Sequence, residues 1–211
     1  MVCVVNTDVT FTEDYFVKAL PHFEDNEIFA VSGIISNYSD KIDEPMTKAG
    51  TNFMYFRRGL FRFKDELYLK ERIKYDYKFP FLGCCFVARN DLLRRLNGFD
   101  EIYAPYYWED SDLSLRAIEH GFKVKFAPEC VIHHRSSSTI DHAQKKTTQK
   151  IIANRNRLIF CWNHLCGTKR WVAHISYMFV SVAVRWIILG WKFYLALFLA
   201  LYRTARYYNR F

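Results

Sequence analysis

The hexapeptide Trp108-Glu109-Asp110-Ser111-Asp112-Leu113 places three carboxylates within four residues. A helical pattern runs from Ser111 to His120, and Gly121 stops it. One use of such a cluster is capping: Asp and Ser accept from the free N–H groups of a first turn and suit its dipole. Capping needs only one such residue. Crowded negative charges raise the pKa of at least one member, and a carboxyl tuned upward can serve as a general base. The preceding NGFDEIYAPYY adds turn residues and aromatic side chains suited to the wall of a cleft.

Asn6-Thr7-Asp8 follows Val2–Val5, an apolar, β-branched run that reads as a buried parallel strand. A carboxylate at the carboxyl end of such a strand points into the crevice where open α/β sheets bind ligands. There it can hold Mg²⁺ or Mn²⁺ against a diphosphate. The same residue types also serve as ordinary turn and cap residues. His133-His134 ends a short strand after Pro128. A histidine there is a metal ligand or a hydrogen-bonded structural residue. Arg135-Ser136-Ser137-Ser138-Thr139 offers donors to phosphate oxygens, or is simply a polar loop.

Strands alternating with helices must position these groups. Val2–Val5 and Ile28–Ile35 read as strands, with a helical segment from Thr12 to about Phe23 between them. Residues 36–80 read as an irregular excursion with one or two short helices. Phe81–Val87 reads as a strand interrupted by Gly83, and Asn90–Leu96 as a short helix stopped by Asn97-Gly98. Val124–Phe126 and Cys130–His133 read as two strands broken by Pro128, and Lys145 to about His164 as a helix. The pattern is α/β, with residues 1–165 as one domain and 166–211 as a hydrophobic, basic appendage.

The chain has 211 residues and is 18% aromatic, enough for a packed core. Residues 1–140 carry 18 Lys/Arg against 21 Asp/Glu, whereas 141–211 carry 12 against Asp141 alone. Residues 172–202 are almost wholly apolar, broken only by His174, Arg185, Gly190 and Lys192. Both flanks are basic, which favours surface helices or a hairpin bent at Gly190 over a single crossing. Basic residues at the ends of apolar runs point to an anionic membrane surface, not to nucleic acid. None of the six cysteines forms a C-x-x-C pair, and no signal peptide pattern opens the chain, so the cysteines read as reduced thiols.

Taken in order, these segments resemble the C-terminal half of the family 2 glycosyltransferases, over about Val4 to Leu158. VVNTDV resembles the family's strand and metal motif. FLGCCFVARNDLLRRLNGFDE resembles the segment ending in GGFDE, with Asn97 in place of the first glycine. YYWEDSDLSLRAIEHGFKVKFAPECVIHHRSSST resembles the stretch from the acidic motif to a histidine, and ANRNRLIF the RN segment after it. The resemblance implies a partial GT-A fold followed by membrane-associated helices. It assigns Asp110 as base, Glu109 as a neighbouring acceptor-site acid, and Asp8 and His134 as ligands of Mg²⁺ or Mn²⁺. Asn6, Gly83, Cys84, Trp108, Asp112 and Arg155 fall at substrate-binding positions, with the role of the Arg155-Asn156 pair open.

The implied reaction is inverting transfer from a nucleotide-diphospho-sugar to a glycan or polyprenyl-linked acceptor, in cell-envelope polysaccharide synthesis at the cytoplasmic face of the membrane. The family's nucleotide-binding N-terminal half has no counterpart before Val2. Two expectations follow: a truncated reading frame, or a second polypeptide that supplies that half. Either way the chain alone would bind donor poorly. The alternative function is a non-catalytic, membrane-associated remnant or subunit that keeps the acceptor surface.

Overall fold

A computed structural model of the chain describes residues 1–39, 42–49, 51–66, 78–135, 146–183 and 186–209. Its strands are β1 (Val2–Val5), β2 (Val9–Phe11), β3 (Ile28–Ser39), β4 (Ile42–Ala49), β5 (Thr51–Arg57), β6 (Leu60–Glu66), β7 (Lys78–Pro80), β8 (Cys85–Ala88) and β9 (Lys123–Arg135). Its α-helices are α1 (Tyr15–Ala19), α2 (Asn90–Arg95), α3 (Glu109–Glu119), α4 (Lys146–His164), α5 (Thr168–Ala183) and α6 (Trp186–Tyr208).

The larger sheet runs β1-β8-β3-β9-β2, with β4 also on β3. Among the described strands only β3 and β9 pair in parallel; β1 lies antiparallel to β8. The expectation of a buried parallel strand at Val2–Val5 is therefore corrected. β1 is an edge strand, and Val5 is 41% exposed. An apolar run reports burial potential but not partner direction. The buried run Ile28–Val31 and the fully buried β8 make the sheet's centre. α1 packs Tyr15 and Ala19 on one face, while Leu92, Leu96, Leu113 and Ala117 of α2 and α3 cover the other.

β9 is continuous where two strands were expected. Gly33 pairs with Ala127 and Ile34 with Val131, so Pro128-Glu129-Cys130 bulges out of register. Pro128, which has no N–H to give the ladder, sits in the bulge instead of ending the strand. A Cβ at Gly33 would lie 1.9 Å from the Cys130 carbonyl oxygen, so only glycine admits the bulge.

The described parts of residues 36–80 are strands, not short helices. β6, β5 and β7 form an antiparallel three-stranded sheet. β5 and β6 join at Arg58-Gly59, both with positive φ, as a two-residue hairpin turn requires. Met54 and Phe56 alternate inward, Phe61 lies opposite Phe56, and Leu60, opposite Arg57, is buried in the same core. This face packs on Phe160 of α4, and Ala200 of α6 joins the same core.

The apolar tail forms α5 and α6, with a break at Gly190 (φ 62°, ψ 179°). Tyr194 Oη donates to the Val182 carbonyl at 2.9 Å, tying the two helices together. No described helix is long and apolar enough to cross a membrane.

Candidate active site

One wall of the site comes from the end of β1. Asn6 N–H donates to the Cys84 carbonyl at 2.9 Å, fixing the Asn6-Thr7-Asp8 turn beside the loop before β8. The β2–β9 register places Val9 opposite His134. Asp8 Oδ1 then lies 3.4 Å from His134 Nε2, with both side chains largely buried.

The start of α3 forms the floor. Tyr107 and Trp108 take φ of 73° and 81°, a region bulky residues rarely adopt. What holds them there is Asn156, fully buried on α4. Its Nδ2 approaches the carbonyls of Tyr103, Tyr106 and Tyr107 at 2.6, 2.9 and 2.8 Å. Arg155 braces the same turn, donating to the Ala104 carbonyl at 2.6 Å. Ser114 joins the floor to the loop before β8: Leu82 N–H donates to Ser114 Oγ, which donates to the Asp110 carbonyl.

Between these walls lies a cavity of about 810 Å³. Asn6, Asp8, Gly83, Cys84, Trp108, Glu109 and Asp110 all line it, with Tyr106 and Tyr107 as aromatic neighbours. Burial raises the Asp110 carboxyl to about 7, and the charge of Glu109 adds to this. Hydrogen bonds from the Ser111 N–H at 2.7 Å and Ser111 Oγ at 3.3 Å oppose the rise without cancelling it. Burial raises Glu109 too, and its Oε2 is buried with no hydrogen-bond partner among the described residues. The Cys84 thiol is pushed up to about 12 by burial, then by the charges of Asp8 and Asp110. It is a neutral lining group and no nucleophile.

Two residues assigned to substrate lie elsewhere. Asp112 is 2% exposed and bonds His164 Nε2 and Arg116 Nε, each at 2.7 Å. Burial would raise its carboxyl, but the His164 hydrogen bond and the Arg116 charge outweigh it and hold it below its ordinary value. It is absent from the cavity lining because α3 turns it toward α4. Arg155 likewise lines no part of this cavity. Conversely, Asn156 and Ser114 shape the site without having been assigned to it. The RN pair was the only signal for Asn156, and nothing in the sequence marks Ser114. Residues 136–139, read as phosphate donors, lie outside the described residues.

Among the described residues no cluster of three His, Cys, Asp or Glu side chains forms. Asp8 and His134 converge as a pair, one oxygen and one nitrogen ligand. Mg²⁺ and Mn²⁺ sites often use one or two protein ligands and take the rest from phosphate and water, so the pair fits such an ion.

A mixed α/β domain with a raised carboxyl on the floor of an aromatic cleft has the layout of a group-transfer enzyme. The chain belongs to glycosyl transferase family group 2, whose family profile matches residues 1–208. Among solved structures it is similar to the mannosyltransferase PcManGT from Pyrobaculum calidifontis, in complex with GDP-Man and Mn²⁺. That similarity has a TM-score of 0.43 and 12% identity, and covers 97% of this chain and 50% of the other. The chain thus spans about half the length of that structure. No curated protein matches it.

Proposed function

We propose that the cavity is the acceptor side of an inverting sugar transfer from a nucleotide-diphospho-sugar to a glycan or polyprenyl-linked acceptor. The observation that carries this reading is the Asp110 carboxyl, poised near neutrality on the cavity floor. Ionised, it takes the proton of an acceptor hydroxyl as that oxygen attacks the anomeric carbon. The bond from that carbon to the diphosphate breaks, and the electron pair leaves with the nucleotide. Glu109, with a free buried oxygen, accepts a second hydroxyl of the acceptor and orients it. Tyr106, Tyr107 and Trp108 provide flat faces for a sugar ring. Asp8 and His134 are the residues that would hold Mg²⁺ or Mn²⁺, which when bound neutralises diphosphate charge.

Membrane contact at the cytoplasmic face belongs to the same reading. Val172, Ile175, Phe179 and Val182 recur at helical spacing on α5 and are 43–71% exposed. Trp191, Leu195, Phe198 and Tyr202 repeat the pattern on α6, at 36–63% exposure. Lys169, Arg170, Arg203 and Arg206 flank these stripes, as an interfacial helix pair on anionic lipid requires.

The test is nucleoside diphosphate release from a panel of nucleotide sugars, with a membrane extract as acceptor. Wild type, given donor at high concentration to offset its expected weak donor binding, should release it, and Asp110→Asn should lower the rate about 10²–10⁴-fold while keeping the fold. Loss of less than about tenfold removes Asp110 as base. Absence of release by wild type with every donor overturns transfer by this chain.

A further inference from the structure

A second cavity, of about 380 Å³, shares no lining residue with the first. Leu199, Tyr202, Arg203 and Arg206 line it at helical spacing from α6, and Arg155 lines it from α4. Among the described residues, three arginines therefore line it against a single carboxylate, Glu101.

Their protein partners are neutral. Arg155, 8% exposed, gives Nε to Asn156 Oδ1 at 2.9 Å and Nη2 to the Ala104 carbonyl. Arg203 gives Nε to the Ile102 carbonyl at 2.7 Å and Nη2 to that of Glu101 at 2.6 Å. Arg206 Nη1 donates to Tyr202 Oη at 3.2 Å. Among the described residues no carboxylate forms an ion pair with any of the three. The carbonyls aim the guanidinium forks but leave their charge uncompensated, and the Nη1 groups of Arg155 and Arg203 remain available as donors. Burial pushes Arg155 down to about 10, and the Arg203 charge adds a smaller repulsion that an incoming anion would relieve.

The apolar stripe of α6 runs to the rim of this cleft. Tyr202 both lines it and stacks on Phe198, with centroids 6.4 Å apart and planes 15° from parallel. We propose that the cleft binds the phosphate group of a membrane amphiphile, with Arg155, Arg203 and Arg206 on the phosphate and Phe198 and Tyr202 against the first part of the chain. A phosphate monoester offers three oxygens and about two charges, which matches three converging guanidiniums better than one carboxylate does. The lipid source rests on the membrane-facing reading of α5 and α6; the anion site does not.

The full chain is titrated, with tryptophan fluorescence and calorimetry as readouts, against inorganic phosphate, short-chain phosphatidic acid below its micelle concentration, and short-chain phosphatidylcholine. The phosphatidic acid should bind at least about tenfold more tightly than inorganic phosphate, and the phosphatidylcholine more weakly than either. Arg206→Gln, at an exposed position, should weaken phosphatidic acid about tenfold, the loss of one charge-assisted contact. Phe198→Ser should bring phosphatidic acid down toward inorganic phosphate and leave inorganic phosphate unchanged. Equal affinity for the two phosphate probes overturns the lipid assignment and leaves a free-phosphate site. Absence of binding, or wild-type binding by both Arg206→Gln and Arg155→Lys, overturns the cleft itself. Flotation of the wild-type chain with anionic vesicles tests the membrane reading separately: a chain that stays in solution overturns that reading, while the anion site stands or falls on the titrations.

Discussion

Asp110 and Asp112 stand two residues apart on the first turn of α3 and are driven in opposite directions. Asp110 faces the cavity, and burial lifts its carboxyl to about 7. Asp112 faces α4, where His164, together with Arg116 of its own helix, holds it ionised. One acidic motif therefore supplies both the proposed base and a structural anchor. The anchor matters to the base: Asp112 ties the helix that carries Asp110 to α4, whose Asn156 shapes the turn entering that helix.

Transfer should rise with pH through about 7 and level off above it, because the Asp110 base works only when ionised. Asp110→Asn should give a flat, low profile. The sign for stability is opposite. The folded carboxyl titrates above its ordinary 3.8, so the fold loses stability as pH climbs from 3.8 to about 7 and carries the whole penalty beyond. Asp110→Asn removes that penalty, at most about 4 kcal/mol. In thermal unfolding at about pH 8 it should melt above wild type, by roughly 2–4 °C per kcal/mol. An Asn variant that melts lower would show that Asp110 is structural.

The Asp112–His164 pair makes a separate prediction. Burial alone would lower His164, but the hydrogen bonds of Asp112 and Glu119 raise it above its ordinary 6.5. Its contribution is complete below 6.5 and fades as pH rises through the raised folded value. That of Asp112 is complete above 3.8 and fades as pH falls through its lowered value. The pair is thus strongest between those two values. His164→Gln should cost about 2–4 kcal/mol in urea unfolding at about pH 5.5, with Arg116 still compensating Asp112. The deficit should narrow in alkali. A deficit that does not vary with pH would reduce the pair to packing.

Asn156 is the residue whose loss should separate positioning from chemistry. Asn156→Ala leaves three backbone carbonyls without their shared donor and frees Tyr107 and Trp108 from their positive-φ conformations. The cost should be about 2–4 kcal/mol of stability. The aromatic wall moves with the turn, so acceptor KM should rise and kcat/KM fall about 10- to 100-fold, while the pH profile set by Asp110 keeps its midpoint. A shifted midpoint with unchanged KM would place Asn156 in the proton chemistry.

Much of this arrangement is legible in the residues, and the rest fails for identifiable reasons. Ile28–Ile35, Asn90–Leu96 and the α3 and α4 segments carry strong local patterns, and the structure has elements at each. The β5–β6 hairpin escaped because RRG is a weak turn signal, while the alternation of Met54 and Phe56 is masked by the interleaved Phe53 and Tyr55. The motif residues Asp8, Gly83, Cys84, Trp108, Glu109 and Asp110 line one cavity, which their order in the chain suggested. Asp112 and Arg155 escaped because a motif states residue type and spacing, while helix phase decides which way a side chain points.

His174 should govern the docking of α5. Its Nδ1–H donates to the Gly59 carbonyl at 2.7 Å, and its Nε2 accepts from Trp162 Nε1 at 3.1 Å. Only the neutral ring satisfies both bonds, since a proton on Nε2 would face the indole N–H. Burial holds its pKa below the ordinary 6.5, outweighing the pull of the Gly59 carbonyl. The contribution is therefore present above 6.5 and lost as pH falls through the lower folded value. Amide protection across 168–183, corrected for the intrinsic pH dependence of exchange, should fall in acid before that of the sheet does. His174→Asn keeps a donor for Gly59 but cannot gain a proton, so its α5 protection should be lower at neutral pH and nearly independent of acid. Gly59→Ala should undock α5 at every pH, because its Cβ would meet Tyr177 Cβ at 2.4 Å and the Ala173 carbonyl oxygen at 2.6 Å, at a φ of +80°. Uniform protection in wild-type α5 from about pH 5 to pH 7.5 would show that the ring titrates without consequence, and that the helix is held by the packing of Ala173, Tyr177 and Met178 on the core instead.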